Sequence, residues 1–92
     1  MVETTITINH PVGLHARPGV TFVQTASKFQ SKISLANLTR NSTEVNAKSI
    51  VSVIKAAVAQ GHTIRLTAEG EDAQAAIDTL TQLINDNFGE VG

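Results

Sequence analysis

The chain contains no cysteine, tryptophan or tyrosine, and only three phenylalanines. The lack of cysteine excludes disulfide bonds and thiolate metal sites. With so few aromatic side chains and no cluster of lysine or arginine, nucleic-acid binding is not expected. No apolar run approaches the ~20 residues of a membrane-spanning helix, and the first residues lack the basic and apolar segments of a signal peptide. We therefore expect a soluble, cytoplasmic protein without membrane insertion.

The charges are distributed unevenly, although the net charge is only −1. All seven lysines and arginines fall within residues 1–68, whereas six of the eight acidic residues fall within residues 69–92. Two interpretations stay open. The basic part forms a docking surface for an acidic partner or a phosphate, or the last segment is simply an acidic, solvated helix face. The length of 92 residues suits one domain spanning residues 1–92.

Hydrophobic periodicity predicts seven elements in the order βαββαβα. Alternating apolar residues predict strands over 2–8, 33–35 and 64–68, and a strand over 43–45 that returns from a hairpin turn at 38–42. Helical spacing predicts helices over 16–28, 50–57 and 73–84. The first has an apolar stripe of Val20, Val23 and Ala26, with Phe22 as a further candidate and Phe29 closing it. Each strand has one apolar face. This pattern indicates an α+β domain of two layers, with helices covering one face of an antiparallel or mixed sheet.

His15 is the strongest candidate for chemistry because of the residues that follow it. The string GLHARPG at 13–19 places His15 at the join between a predicted strand and a predicted helix, and Pro18 suits the first turn of that helix. Free N–H groups at a helix N-terminus favour an anion. An imidazole nucleophile there, with the Arg17 guanidinium beside it, is suited to carrying a phosphoryl group. A surface or capping histidine is the simpler alternative.

The chain resembles the HPr family, the histidine-containing phosphocarriers of the bacterial phosphotransferase system. The string at 13–19 resembles the active-site motif of the family. The resemblance continues through FVQTA at 22–26, VNAKSI at 45–50 and GEDA at 70–73, and on to Ile84. It implies an open-faced sandwich of two layers, in which three helices cover one face of a four-stranded antiparallel sheet.

The resemblance also implies a function as a covalently phosphorylated carrier, which is not itself an enzyme and needs no cofactor or metal. His15 would accept a phosphoryl group on Nδ1 from phospho-enzyme I and pass it to the IIA domains of sugar-specific enzymes II. Arg17 would contact the phosphate and the partners, while Ala16 and Pro18 would support the helix N-terminus. We expect a monomer, because a shuttle must dock on several partners.

Ser49 is a second candidate site. A serine at a helix start is a preferred N-cap, which is a sufficient structural reason for its presence. The resemblance additionally implies regulatory phosphorylation of Ser49 by an HPr kinase/phosphorylase, and contact with a catabolite regulator. Residues that match the family's partner-docking patch beside the histidine are Val20, Lys48, Val51 and Ile54.

The sequence departs from the usual family pattern at two places. Gly19 replaces a more usual alanine, which is expected to loosen the helix by up to ~1 kcal/mol. The turn at 37–42 is longer than usual, an insertion that costs little. His10 and His62 are predicted to lie on the surface, since nothing places them with His15 in a metal site.

Two other functions are compatible with the same sequence features. One is a nitrogen-branch or co-regulatory HPr-like protein with the same phosphohistidine, which acceptor preference would reveal. The other is an α+β interaction module without phosphotransfer, whose mass would not change on incubation with enzyme I and phosphoenolpyruvate.

Overall fold

The elements follow one another in the order that the sequence predicts. A computed structural model describes residues 1–14 and 16–89, with the backbone alone at 16 and 89. The elements are β1 (Val2–Thr7), α1 (Ala16–Ala26), β2 (Lys32–Asn37), β3 (Val45–Asn46), α2 (Ile50–Lys55), β4 (Thr63–Glu69) and α3 (Ala73–Asn85), followed by a short 3-10 turn (Asn87–Gly89).

The four strands form one antiparallel sheet in the order β1-β4-β2-β3. In its register Leu66 of β4 lies opposite Thr4 of β1 and Leu35 of β2, and Leu35 also lies opposite Val45 of β3. Since side chains alternate between the faces of a strand, this register directs one row of apolar residues towards the helices. The α+β sandwich expected from the sequence is confirmed.

The core lies between the sheet and the three helices. Its largest fully buried members are Phe22, Ile8, Leu14, Ile33, Leu35, Ile64, Leu66 and Leu80. The opposite face of the sheet is polar: the hydroxyls of Thr7 and Thr63 are hydrogen-bonded at 3.1 Å, and the Arg65 Nε lies 3.9 Å from a carboxylate oxygen of Glu3. This division leaves one face of the sheet for solvent, as an antiparallel sheet allows.

Two predicted details of α1 are wrong. Val20 is 43% exposed and does not belong to the buried stripe, whereas Phe22 and Ala26 are fully buried, as expected. Pro18 and Gly19 are also buried, and they form the inner surface at the start of the helix in place of Val20. The helix ends at Ala26 rather than at residue 28, because the N–H groups of Lys28 and Phe29 bond to carbonyls three residues back.

The returning strand β3 is shorter than predicted and excludes Thr43. The preceding turn is closed by hydrogen bonds between Asn37 and Ser42. The N–H of Asn37 donates to the Ser42 hydroxyl at 2.8 Å, and the N–H of Ser42 donates to the Asn37 carbonyl at 3.0 Å. These bonds hold the chain in a turn through Ser42, so pairing with β2 begins only at Val45.

Asp72 joins the start of α3 to the loop between α1 and β2. Its carboxylate accepts the backbone N–H groups of Gln30 and Ser31 at 2.8 Å and 2.9 Å, together with the hydroxyl of Ser31. The Ser31 hydroxyl and then the Gln30 N–H lower the pKa of Asp72 below its ordinary value of 3.8. The carboxylate makes no capping bond within α3, and it acts as a tether between two loops instead.

Candidate functional site

The loop that precedes residue 15 is anchored to the segment that follows α2. The backbone N–H of Leu14 donates to the carbonyl of Val58 at 3.0 Å, and the Leu14 side chain is fully buried. Gly13 has φ +68°, and a Cβ at this position would overlap the Val58 carbonyl and lie 2.7 Å from the Ala59 Cα. Only glycine combines this left-handed conformation with so close an approach of two backbones.

The prediction that His10 lies on the surface is wrong: this residue is only 6% exposed. Its Nδ1 accepts the N–H of Val12 at 3.1 Å, and its carbonyl accepts the N–H of Gly13 at 2.9 Å. Its ring meets that of Phe88 edge to face, with centroids 5.7 Å apart. His10 therefore shapes the turn that leads to residue 15.

His62 is half-buried rather than on the surface. Its Nδ1 accepts the N–H of Ala59 at 3.1 Å, and its carbonyl accepts the N–H of Ile8 at 2.9 Å. Both histidines are expected on the surface because histidine is a polar residue. The residues that contact them include Phe88 beside His10 and Ile8 beside His62, which are distant along the chain.

His15 lies outside the described residues, but its neighbours define the setting. Helix α1 begins at Ala16, so the chain enters the helix directly after His15, as predicted. Pro18 is buried in the first turn, where its missing N–H leaves no helical bond unmade. The first N–H groups of this helix have no partners within it, and they form a favourable environment for an anion.

Arg17 is exposed at the start of α1. Within residues 1–14 and 16–89 no carboxylate pairs with it, since the ion pair found there joins Arg65 to Glu3. Its guanidinium is therefore available to oxygens from outside the described part of the chain, and a guanidinium can bind phosphate oxygens in a bidentate manner.

Gly19 lies where the first turn of α1 meets the start of α2. A Cβ at this position would overlap the Leu14 carbonyl oxygen and lie 3.7 Å from the Ile50 Cδ1. The close fit gives glycine a steric role here, in addition to its weak helix propensity. The approach of Gly19 to Ile50 also places the starts of α1 and α2 side by side.

Ser49 is the N-cap of α2, and its hydroxyl oxygen accepts the N–H of Ser52 at 3.3 Å. The side chain is half-buried, at the end of the molecule where α1 also begins. Its capping role is thus established in the structure, while phosphorylation of this hydroxyl stays a prediction.

The residues predicted for partner docking differ in their accessibility. Val20, Val51 and Ile54 are 43%, 58% and 46% exposed, and they lie on α1 and α2, which pack against each other. Lys48 is half-buried, and its ammonium donates to the Phe29 carbonyl at 2.6 Å. The three apolar residues are accessible to a partner, whereas Lys48 also ties the segment before α2 to the segment after α1.

Within the described part of the chain, no group of three or more histidine and acidic residues could hold a metal ion. None of the helices described is long and apolar enough to cross a membrane.

Comparison with known proteins agrees with this geometry. Residues 2–86 match the family described as PTS HPr component phosphorylation site. The chain is 43% identical over 90 residues to the phosphocarrier protein HPr of Xylella fastidiosa, covering 98% of both chains. It is 48% identical over 89 residues to a multiphosphoryl transfer protein of Haemophilus influenzae, covering 97% of this chain but only 18% of that longer protein.

Solved structures show the same likeness in three dimensions. The crystal structure of HPr-C-His from Thermoanaerobacter tengcongensis superposes with a TM-score of 0.94 at 47% identity, covering 100% of both chains. The family match includes the segment from Gly13 to Gly19 and the N-cap Ser49. With the family match, the full-length relatives and the fold in agreement, the chain belongs to the HPr family of phosphotransferase-system phosphocarriers.

Proposed function

We propose that this chain accepts a phosphoryl group on His15 from phospho-enzyme I and passes it to the IIA domains of sugar-specific enzymes II during sugar uptake. The observation that carries the proposal is the family match over residues 2–86. This match includes a histidine placed directly before a helix N-terminus and followed by Arg17 and Pro18.

The chemistry we propose needs only the imidazole and its surroundings. The lone pair of neutral His15 Nδ1 attacks phosphorus, a nitrogen–phosphorus bond forms, and the bond between phosphorus and the donor breaks. The resulting phosphoramidate is reactive, so the same steps in reverse order deliver the group to the acceptor. Phosphoryl transfer depends mainly on positioning and charge stabilisation. The free N–H groups at the start of α1 and the exposed Arg17 guanidinium are suited to that task.

The proposed carrier binds each partner briefly and has no catalytic turnover of its own. Val20, Val51 and Ile54 form the apolar part of the docking surface, with Arg17 beside it and Lys48 at its border. Contacts that form and dissociate in every cycle are expected to be small. We further propose that residues 1–92 act as one HPr domain, which is monomeric and works in the cytoplasm.

Ser49 is the proposed regulatory site, modified by an HPr kinase/phosphorylase. A phosphate on this N-cap would lie at the end of the molecule where α1 also begins, so its charge would oppose docking of an acidic partner. In a host that has a catabolite regulator, the same modification would create the contact with it.

A reconstituted transfer chain tests the proposal. Phosphoenolpyruvate, enzyme I and this protein are combined with either a sugar-specific or a nitrogen-branch IIA, and phosphorylation of each IIA is followed in time. Faster transfer to the sugar IIA supports the proposal, and preference for the nitrogen IIA favours the regulatory relative. Failure to phosphorylate either acceptor, with another HPr active in the same mixture, would reject both.

A further inference from the structure

We propose that the buried Asn37 and the half-buried His62 form a positioning pair that holds the loop before His15 in the geometry needed for phosphoryl transfer. This inference rests on the proposed function for its consequence, but its structural part stands on the hydrogen bonds around Asn37. Neither residue belongs to the sequence motifs of the site, and both are distant from His15 along the chain.

Asn37 is the end of β2 and is fully buried. Its Nδ2 donates to the Ala56 carbonyl at 2.9 Å and lies 3.1 Å from the His62 Nδ1. Since the carbonyl can only accept, the amide nitrogen and not the oxygen must face it. The Asn37 Oδ1 is buried and accepts no hydrogen bond from the described residues, so this side chain is placed for its two donated bonds.

The tautomer of His62 follows from the same contacts. Its Nδ1 faces two donors, the Asn37 amide and the Ala59 N–H at 3.1 Å. A nitrogen that faces two N–H groups must offer a lone pair, so the proton of neutral His62 lies on Nε2. The imidazole thereby bridges the end of β2 and the segment after α2.

The segment that this pair holds is the one against which the His15 loop rests. Asn37 and His62 bond to Ala56 and Ala59, and between these lies Val58, whose carbonyl accepts the Leu14 N–H. Ala57 in the same segment has φ +54°, a conformation that is costly for a residue other than glycine and persists only where its surroundings hold it.

The other side of Asn37 faces the long turn. Its backbone closes the turn through the two hydrogen bonds with Ser42, and the N–H of Leu38 bonds to the Thr63 carbonyl at 2.9 Å. Asn37 therefore connects the turn at 38–42 to the exit of α2, and the loop that ends at Leu14 rests on that same segment through Val58. Because transfer rates depend steeply on the placement of the reacting group, loss of the pair should slow transfer without weakening docking.

Three variants and one control test the pair. Asn37→Leu removes both donors at similar volume, and His62→Leu removes the acceptor. His62→Asn keeps an acceptor, since its Oδ1 can take the place of the imidazole Nδ1. The control is Asp72→Asn, which weakens the tether between the start of α3 and the loop between α1 and β2. In the wild-type protein, nitrogen NMR of the imidazoles at mildly alkaline pH should show His62 with a bare Nδ1 and a protonated Nε2.

The Leu variants should lower kcat and leave KM unchanged. With each Leu variant as the substrate of enzyme I, kcat should fall about tenfold or more while KM stays unchanged, and the Leu14 amide resonance should shift. His62→Asn should restore most of the rate. Asp72→Asn should lower stability but leave the Leu14 amide and kcat unchanged.

Some outcomes would overturn the inference. A protonated His62 Nδ1, or Leu14 amide shifts no larger than those of Asp72→Asn, would exclude the pair as a positioning device. If the NMR results hold but wild-type protein accepts no phosphate, then the proposed function fails while the structural pair stands.

Discussion

The backbone N–H of Leu14 is hydrogen-bonded to the Val58 carbonyl at 3.0 Å, and this bond joins the residue before His15 to the segment after α2. Val58 follows the end of α2, whereas Ser49 caps the start of that helix. A second contact, the close approach of Gly19 to Ile50, places the start of α1 beside the start of α2.

Gly13→Ala should destabilise the protein more than Gly61→Ala. Both glycines have positive φ, +68° and +87°, but a Cβ at Gly13 would overlap the Val58 carbonyl, whereas a Cβ at Gly61 meets nothing within 4 Å. We expect a loss of about 1 kcal/mol for Gly61→Ala from backbone strain alone, and about 2 kcal/mol more for Gly13→Ala from the clash. Denaturant unfolding measures both, and equal losses would show that the loop can move away from Val58.

Ser49→Asp should slow phosphoryl transfer from enzyme I, because its charge mimics part of the effect of a phosphate. Ser49→Asn is the matched control, since asparagine is also a good N-cap and carries no charge. Both variants should keep nearly wild-type stability. Initial rates of transfer should fall for Ser49→Asp only, and equal rates for the two variants would remove the electrostatic argument for regulation at this site.

Asp72 should make stability depend on pH in the acid range. Its folded-state pKa is lowered by the Ser31 hydroxyl and the Gln30 N–H, so its stabilising effect is complete above the unfolded value and is lost as the pH falls through the folded value. Asp72→Asn should therefore be less stable than wild type near neutral pH. This difference in the free energy of unfolding should disappear as the pH falls below 3.8. Urea unfolding across this range measures the difference, with Asp78→Asn as a control for loss of a negative charge. A difference that does not change with pH would contradict the tether.

Ile54→Asn should weaken docking and leave the fold unchanged, because Ile54 is 46% exposed. We expect the KM of enzyme I for this chain to rise about tenfold, as for loss of an apolar contact of about 1.4 kcal/mol at an interface. Leu38→Asn changes a comparably exposed residue, 37% exposed, outside the predicted patch. Equal KM values for the two variants would argue against a docking patch on α1 and α2.

The sheet and the helices could be predicted because hydrophobic periodicity reports directly on burial. Ile64, Leu66 and Ala68 alternate in sequence and are all fully buried in β4. The inner face of α1 was predicted less well, since Pro18 and Gly19 are buried there although neither carries a strong hydrophobic signal. The length of β3 depends on side-chain bonds in the turn, which periodicity does not report.

The buried polar residues could not be predicted from the sequence. Asparagine is usually exposed and histidine is intermediate. The burial of Asn37 and His10 and the half-burial of His62 depend on partners up to 78 positions away, as with His10 and Phe88. The motif around His15 could be found because its chemistry requires neighbouring residues along the chain. The residues that hold its loop come from β2 and from the segment after α2, and only the fold brings them together.

The central claim is that His15 carries a phosphoryl group, and the intact mass of the protein tests it most directly. After incubation with enzyme I and phosphoenolpyruvate, the mass should increase by one phosphoryl group, which brief acid treatment should remove. His15→Ala should fold normally and gain nothing, while His62→Asn should still gain the group. An unchanged wild-type mass, with the same enzyme I active on another HPr, or a His15→Ala variant that is still phosphorylated, would contradict the account.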